Sequence, residues 1–249
     1  MNFDFEKNLE LTIYFTKIVD KFYKPHRIKF LVTSFIVIFY ISIPGFHVTS
    51  LEITRTRFTG LMEQRFFQNH FVFFPSQIWI SYDITPEDLK RCVLTMEDDA
   101  FSFHRGVDWE SLELAARTNI RRGKIVRGGS TITMQLAKNI YFTTSRNYFR
   151  KTKEIITAIR MEKELDKRII LEQYLNVIEL GKRIFGAETA SRFYYKKSVQ
   201  NLSRRDIARL VAIIPSPLKY SPLDKRRFVN NRAALALSRM DNSILPEEK

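Results

Sequence analysis

The chain has 249 residues, enough for one domain with a substantial core and some appendages but too few for two full domains. Its 41 Lys and Arg against 27 Asp and Glu give a net charge of +14, which favours an anionic partner: nucleic acid, an anionic membrane surface or a phosphate-bearing substrate. Cys92 is the only cysteine, so no intramolecular disulfide can form, and its setting between Leu89 and Leu94 predicts a small buried core residue.

In chain order, the first 28 residues interleave aromatic and charged positions (Phe3, Phe5, Tyr14, Phe15, Phe22, Tyr23), a pattern suited to an amphipathic helix beside a membrane. Phe30 to Val48 then runs 19 residues without an acidic or basic side chain, His47 taken as neutral, close to the ~20 that span a bilayer as a helix. Lys21, Lys24, Arg27 and Lys29 precede it, which predicts a single-pass anchor over 30–48 with the N-terminus (1–29) in the cytoplasm and the rest outside. A cleaved signal peptide fits less well, since the charged lead is long and no small-residue cleavage site follows; a buried core helix would need a polar face. Residues 49–85, with Phe66, Phe67, Phe71, Phe73 and Phe74, read as a connecting segment packed onto the main domain.

Helical periodicity dominates from Pro86 onward. Thr85-Pro86-Glu87-Asp88 has the form of an N-cap, an N1 proline and first-turn acids, opening a helix through about Met96. Ser130 is the N-cap candidate for a helix over Thr131–Asn139, after the permissive pair Gly128-Gly129. Phe149–Leu165, with Ile155, Ile156 and Ile159 facing inward, and Arg168–Ile178 read as further amphipathic helices. Ser203–Ile214 is another, stopped by Pro215 and Pro217. The core should therefore be mostly α, with a domain over 86–223 and a C-terminal tail over 224–249.

The charge excess is local. Between Arg117 and Arg168 fourteen basic side chains stand against four acidic ones, so +10 of the total +14 lies in about a fifth of the chain. Carboxylates flank this stretch. Glu97 is followed by Asp98 and Asp99, and like charges this close raise at least one pKa, which suits a general acid or base; acidic clusters are also common as solvated helix ends. His104, with Gly106 and Asp108 beside it, reads as a loop brace, because no second His or Cys lies at metal-ligand spacing. Thr131, Gln135 and Lys138 share one helix face, offering a hydroxyl, an amide and an ammonium near a helix N-terminus suited to a phosphate or a sugar. Arg150 and Lys151 reach Glu154 at i+4 and i+3, the spacing of a surface ion pair, yet the density of cations around one carboxylate points to a pyrophosphate site.

The run Glu97-Asp98-x-x-Phe101-x-x-His104-x-Gly106-x-Asp108, then Gly128-Gly129-Ser130-Thr131-Ile132-Thr133-x-Gln135-x-x-Lys138-Asn139, then Arg150-Lys151-x-x-Glu154, resembles the first three signature motifs of the peptidoglycan glycosyltransferases. Two more follow in order: Ile170-Leu171-Glu172-x-Tyr174-Leu175-Asn176, then Gly181 and Gly186 leading into Ala190, Tyr194, Tyr195 and Lys197. The resemblance covers about residues 86–223 and is nearest to the monofunctional branch. It implies a mostly α, lysozyme-like catalytic lobe with a small jaw lobe near the membrane, for which residues 109–127 (Trp109, Leu112, Leu114, Ile120, Ile125, Val126 among basic side chains) are suited. It also implies polymerisation of lipid II into β-1,4-linked glycan strands with release of undecaprenyl diphosphate. Glu97 would be the general base and Lys138, Arg150 and Lys151 the diphosphate contacts, with a divalent cation such as Mg or Mn held near Glu154. Ser130, Thr131, Gln135 and Asn139 would position substrate, and Asp98, Phe101 and His104 would shape the pocket. No organic cofactor and no nucleic acid enter; the partners would be lipid II, the nascent strand, the membrane of the cell envelope, and other cell-wall synthesis and division proteins.

Two positions depart from the motifs: Ala100 stands where arginine is frequent, and Met134 replaces the first of two glutamines. Three other readings are open on residues alone. A lysozyme-like lobe with a catalytic Glu also supports glycan cleavage, although a hydrolase has no need of so many cations. A non-catalytic membrane-anchored binder of anionic lipid would use the basic face but leave Glu97 and Glu154 without purpose. Ser216-Pro217-Leu218-Lys219 matches a Ser-x-x-Lys nucleophile motif in form alone, because no Lys-Thr-Gly follows it.

Overall fold

A computed structural model describes residues 13–14, 16–17, 29–44, 48–56, 58–69, 74–124, 126, 128–144 and 147–246. The chain divides into two units, residues 1–45 and 46–249. In the first, residues 29–41 are helical and their apolar side chains, among them Phe30, Phe35, Ile38 and Ile41, are exposed. The helix gives way to a turn at Ser42, where Pro44 disfavours helical geometry at Ile43. This described stretch measures about 20 Å against the ~30 Å of a bilayer core, and among the described residues no helix is long and apolar enough to cross a membrane. Gly45 to His47, within the expected span, lie outside the described residues, as do most of the first 28.

The second unit is α-rich. Its helices are α1 (Gly60–Gln68), α2 (Glu87–Glu97), α3 (Trp109–Arg122), α4 (Ile132–Tyr141), α5 (Tyr148–Glu164), α6 (Lys167–Val177), α7 (Ala187–Tyr195), α8 (Arg204–Ala212) and α9 (Arg227–Arg239). One core joins Leu89 and Val93 of α2, Leu136 and Ile140 of α4, Leu171 and Tyr174 of α6, Leu210 and Val211 of α8, and Val229 and Ala233 of α9. Val48, Leu51, Ile80 and Tyr82 enter the same core, so the segment before residue 86 is part of the folded unit.

A small sheet, β1 (Ser76–Gln77), β2 (Glu179–Gly181) and β3 (Ile184–Phe185), runs in the order β1-β3-β2. The β1 strand is parallel to β3, with Ser76 opposite Ile184, and β2 is antiparallel to β3, with Glu179 opposite Phe185. Buried Asn176 of α6 holds the segment that follows β1: its amide accepts from Ile80 N and donates to Ile80 O.

The expected tail is not a tail. Residues 227–239 form α9, and Met240 and Leu245 beyond it are buried, because Val229, Ala233 and Ala236 place one apolar face on the core. Helix starts also differ from expectation. Pro86 is the cap residue of α2 and Thr85 Oγ1 donates instead to Ser81 O. Thr131, not Ser130, caps α4 by accepting from Met134 N. On α5 the buried face is Glu154, Thr157, Ala158 and Met161, while Ile156 and Ile159 point to solvent. Ser203, expected inside the helix, instead caps α8 in a reciprocal box with Asp206. Cys92 is fully buried, and that burial pushes its thiol up to about 12.

Candidate active site

Glu97 is the last residue of α2, where the helix dipole and burial both disfavour a negative charge. Its carboxyl is held above the ordinary carboxylate range chiefly by burial, with the neighbouring Asp98 adding to the effect. Three groups oppose the rise: an amide hydrogen bond and the charges of Arg232 and Lys138. Gln135 Nε2 donates to Glu97 Oε2 at 3.1 Å, and Arg232 Nη2 lies 3.4 Å from Glu97 Oε1. Gln135 cannot flip at no cost, because its Oε1 accepts from the hydroxyl of fully buried Tyr174 at 3.0 Å. A side chain exposed by 11 % and supplied with donors on both oxygens is an available proton acceptor.

The residues after Glu97 form the loop that holds this geometry. Both carboxylate oxygens of Asp98 lie 3.0 Å from His104 Nε2, and Oδ2 also accepts from Ile132 N at the start of α4. Thr131 Oγ1 donates to Gly106 O. Gly106 has φ +86°, and a Cβ there would stand 2.7 Å from the backbone of Ala158, so only glycine lets the loop close on α5. His104 therefore braces the loop, as its sequence setting predicts. Phe101 does not shape the pocket wall: it is 1 % exposed in the core, beneath the Lys167 ammonium. The Thr131 hydroxyl is likewise engaged in the cap and the brace and is not free to bind substrate.

Glu154 is buried at 2 % exposure on α5 and pairs with Arg150 and, at 3.3 Å, with Lys151. This is a buried ion triad, not a solvated surface pair. Lys151 Nζ also donates to Ser130 Oγ at 2.7 Å, joining α5 to the loop before α4. Burial, with repulsion from Arg150 and Lys138, brings the Lys151 ammonium down to about 8. Burial lowers Lys138 and Arg150 as well. Both oxygens of Glu154 already face cations, and among the described residues no group of three or more His, Cys, Asp or Glu could hold a metal ion. An ion such as Mg keeps several waters and takes one or two carboxylates besides substrate phosphates, and the carboxylate expected to hold it here has both oxygens against cations.

Glu97 and Glu154 face a shared cavity of about 330 Å³, lined also by Ser130, Gln135, Lys138, Arg150 and Lys151. It continues past Lys138 and Arg150 into a space of about 400 Å³ bounded by Asn139, Arg65, Tyr174 and Glu179. From Glu97 the wall also turns into a third cavity, about 560 Å³, with Asp98, Asp99, Ala100, Asp108, Glu110 and Gly128 to Thr131. Met134 packs with Val107 and Ala158, so the departure at this position falls on a packed side chain while Gln135 reaches Glu97.

Arg232 lies in none of the motifs and on a stretch that the sequence presents as a tail. The spacing of Val229, Ala233 and Ala236 would have revealed the helix, though not the contact across 135 residues of chain. Arg232 Nε donates to Ala212 O, which aims the guanidinium at Glu97.

A largely buried carboxyl facing a cation-lined cavity suits a centre that activates a hydroxyl while an anionic group departs. The sequence model described as Transglycosylase matches residues 69–241. A biosynthetic peptidoglycan transglycosylase of Herminiimonas arsenicoxydans is 42% identical over 168 residues, covering 68% of this chain and 73% of the relative. Its counterpart in Neisseria gonorrhoeae is 41% identical over 169 residues, covering 68% and 72%. This chain belongs to the transglycosylase family.

Proposed function

We propose that this chain polymerises lipid II into the glycan strands of the bacterial cell wall, as a peptidoglycan glycosyltransferase. The observation that carries the mechanism is the shared cavity between Glu97 and the Lys138, Arg150 and Lys151 cations. Glu97 takes the proton of the acceptor sugar's 4-hydroxyl. The freed oxygen bonds to the donor's anomeric carbon from the face opposite the diphosphate. The carbon–oxygen bond to the diphosphate breaks, and the electron pair leaves with undecaprenyl diphosphate, so the new link is inverted to β-1,4.

Negative charge develops on the leaving oxygen, and cations already held in place stabilise it without reorganisation. Glu154 fixes Arg150 and Lys151, while Ser130 anchors Lys151. Gln135 and Arg232 orient the base. Asn139 borders the neighbouring space and would contact substrate there.

The apolar run from Phe30 and the cations before it support a single-pass anchor in the inner membrane, with the enzymatic unit outside. Trp109, Leu114, Ile120 and Val126 are exposed on and beyond α3, which suits a jaw resting on lipid. The purified chain in detergent should convert lipid II into glycan polymer and leave finished peptidoglycan intact. Muropeptide release from finished peptidoglycan with lipid II untouched would overturn this reading in favour of a hydrolase.

A further inference from the structure

Arg65 lies on α1, before the residues matched by the family model, and belongs to none of the motifs. Yet it borders the same space as Lys138, Arg150 and Glu179. Its Nε donates to Glu179 Oε1 at 2.7 Å and its Nη2 to Glu179 Oε2 at 2.9 Å, a two-pronged pair that occupies both carboxylate oxygens. Its remaining nitrogen, Nη1, donates to Gln68 Oε1. Both partners are anchored on the same residue, Phe185. Thr59 caps α1, whose Leu61 and Met62 are buried against Phe185, while Glu179 is fixed in β2 by pairing with Phe185.

Lys138 presents the contrast. Among the described residues its ammonium has no hydrogen-bond or ion-pair partner, although the charges of Glu179 and Glu97 both act on it. A lysine on a flexible stem beside a largely buried carboxylate would ordinarily close onto it, since a desolvated charge left uncompensated is costly. Each neighbouring carboxylate is instead engaged by an arginine: Glu97 by Arg232 and Glu179 by Arg65.

We propose that Arg65 is a positioning residue, which holds Glu179 away from Lys138 and so keeps the lysine available to the diphosphate of the substrate. This rests on the diphosphate role given to Lys138 above. An arginine is suited to the task because its planar fork takes both oxygens at once and fixes the carboxylate's orientation. A lysine at position 65 would supply the same charge but not the fork.

The test is calorimetric binding of inorganic pyrophosphate to the full chain in detergent, alongside KM and kcat for lipid II. Arg65→Met should weaken pyrophosphate binding about tenfold and raise KM by a similar factor with a smaller change in kcat. Arg65→Lys should be about threefold weaker, since charge is kept and geometry lost. Glu179→Gln alone should bind at least as tightly as the natural chain. Combining Arg65→Met with Glu179→Gln should return affinity to within about twofold of it, because the competing carboxylate is gone.

Unchanged affinity in Arg65→Met or in Arg65→Lys overturns the proposal, as does a loss that persists in the double variant, which would mark Arg65 as a direct phosphate ligand or a purely structural residue. The pyrophosphate measurement does not depend on turnover, so an inactive chain would refute the proposed function without deciding this point.

Discussion

Two carboxylates line one cavity and are held in different ways. Glu154 sits mid-helix, meets Arg150 and Lys151 on its own helix, and is enclosed to 2 % exposure. Glu97 ends a helix, keeps a partly exposed side chain, and takes one amide and one arginine, neither from its own helix. The first is saturated with local positive charge; the second is held by burial against donors from other helices, so its proton affinity rises. A group that must accept a proton needs the second arrangement, and a group that must order cations needs the first.

The largest effect expected from this contrast is on turnover. Glu97→Gln keeps the shape and the contact with Arg232 but removes the proton acceptor. Polymerisation of lipid II should fall by about 10³-fold, within the range for loss of a general base, while lipid II binding persists. Undiminished glycan synthesis by this variant would remove Glu97 from the chemistry.

Glu154→Gln should instead act on the fold and the cation cluster together. It leaves Arg150 and Lys151 without their counter-charge, and breaking such a pair from one side costs about 3 kcal/mol. Thermal melting should therefore drop by several degrees, by roughly 10 °C at most for a domain of this size. In Glu97→Gln the melting temperature should move little. Equal destabilisation by the two variants would erase the distinction between them.

The sequence was informative where function is local. Spacing on a single helix placed Gln135 and Lys138 on one face, and Arg150, Lys151 and Glu154 together, and the structure has both groups around one cavity. What it did not reveal depends on chain closure. Arg232 reaches Glu97 only because α9 packs beside α2 and α8, and Arg65 reaches Glu179 across 114 positions. Burial corrected other readings. Phe101 carries a motif position yet serves the core, and α5 turns Ile156 and Ile159 outward because its Glu154 face is the one that must reach the cavity. Hydrophobic periodicity assumes that the apolar face is the buried one, and a helix built to present a buried ion triad breaks that assumption.

The smallest effect expected is a displacement of pH limits. For the free enzyme, kcat/KM should fall toward acid as Glu97 becomes protonated, and because its carboxyl is raised, this limb lies above the range of an ordinary glutamate. Toward alkali, kcat/KM should fall through about pH 8 as Lys151 loses its proton and the diphosphate loses a cation. Arg232 favours the ionised form of Glu97, so Arg232→Met removes part of the opposition to burial and should move the acid limb to higher pH. The charges that lower Lys151 are those of Arg150 and Lys138, so the alkaline limb should stay near 8. Measured profiles in which both limbs shift together would mean that the two carboxylates titrate as one coupled set, and the separate tuning of base and cation cluster would no longer stand.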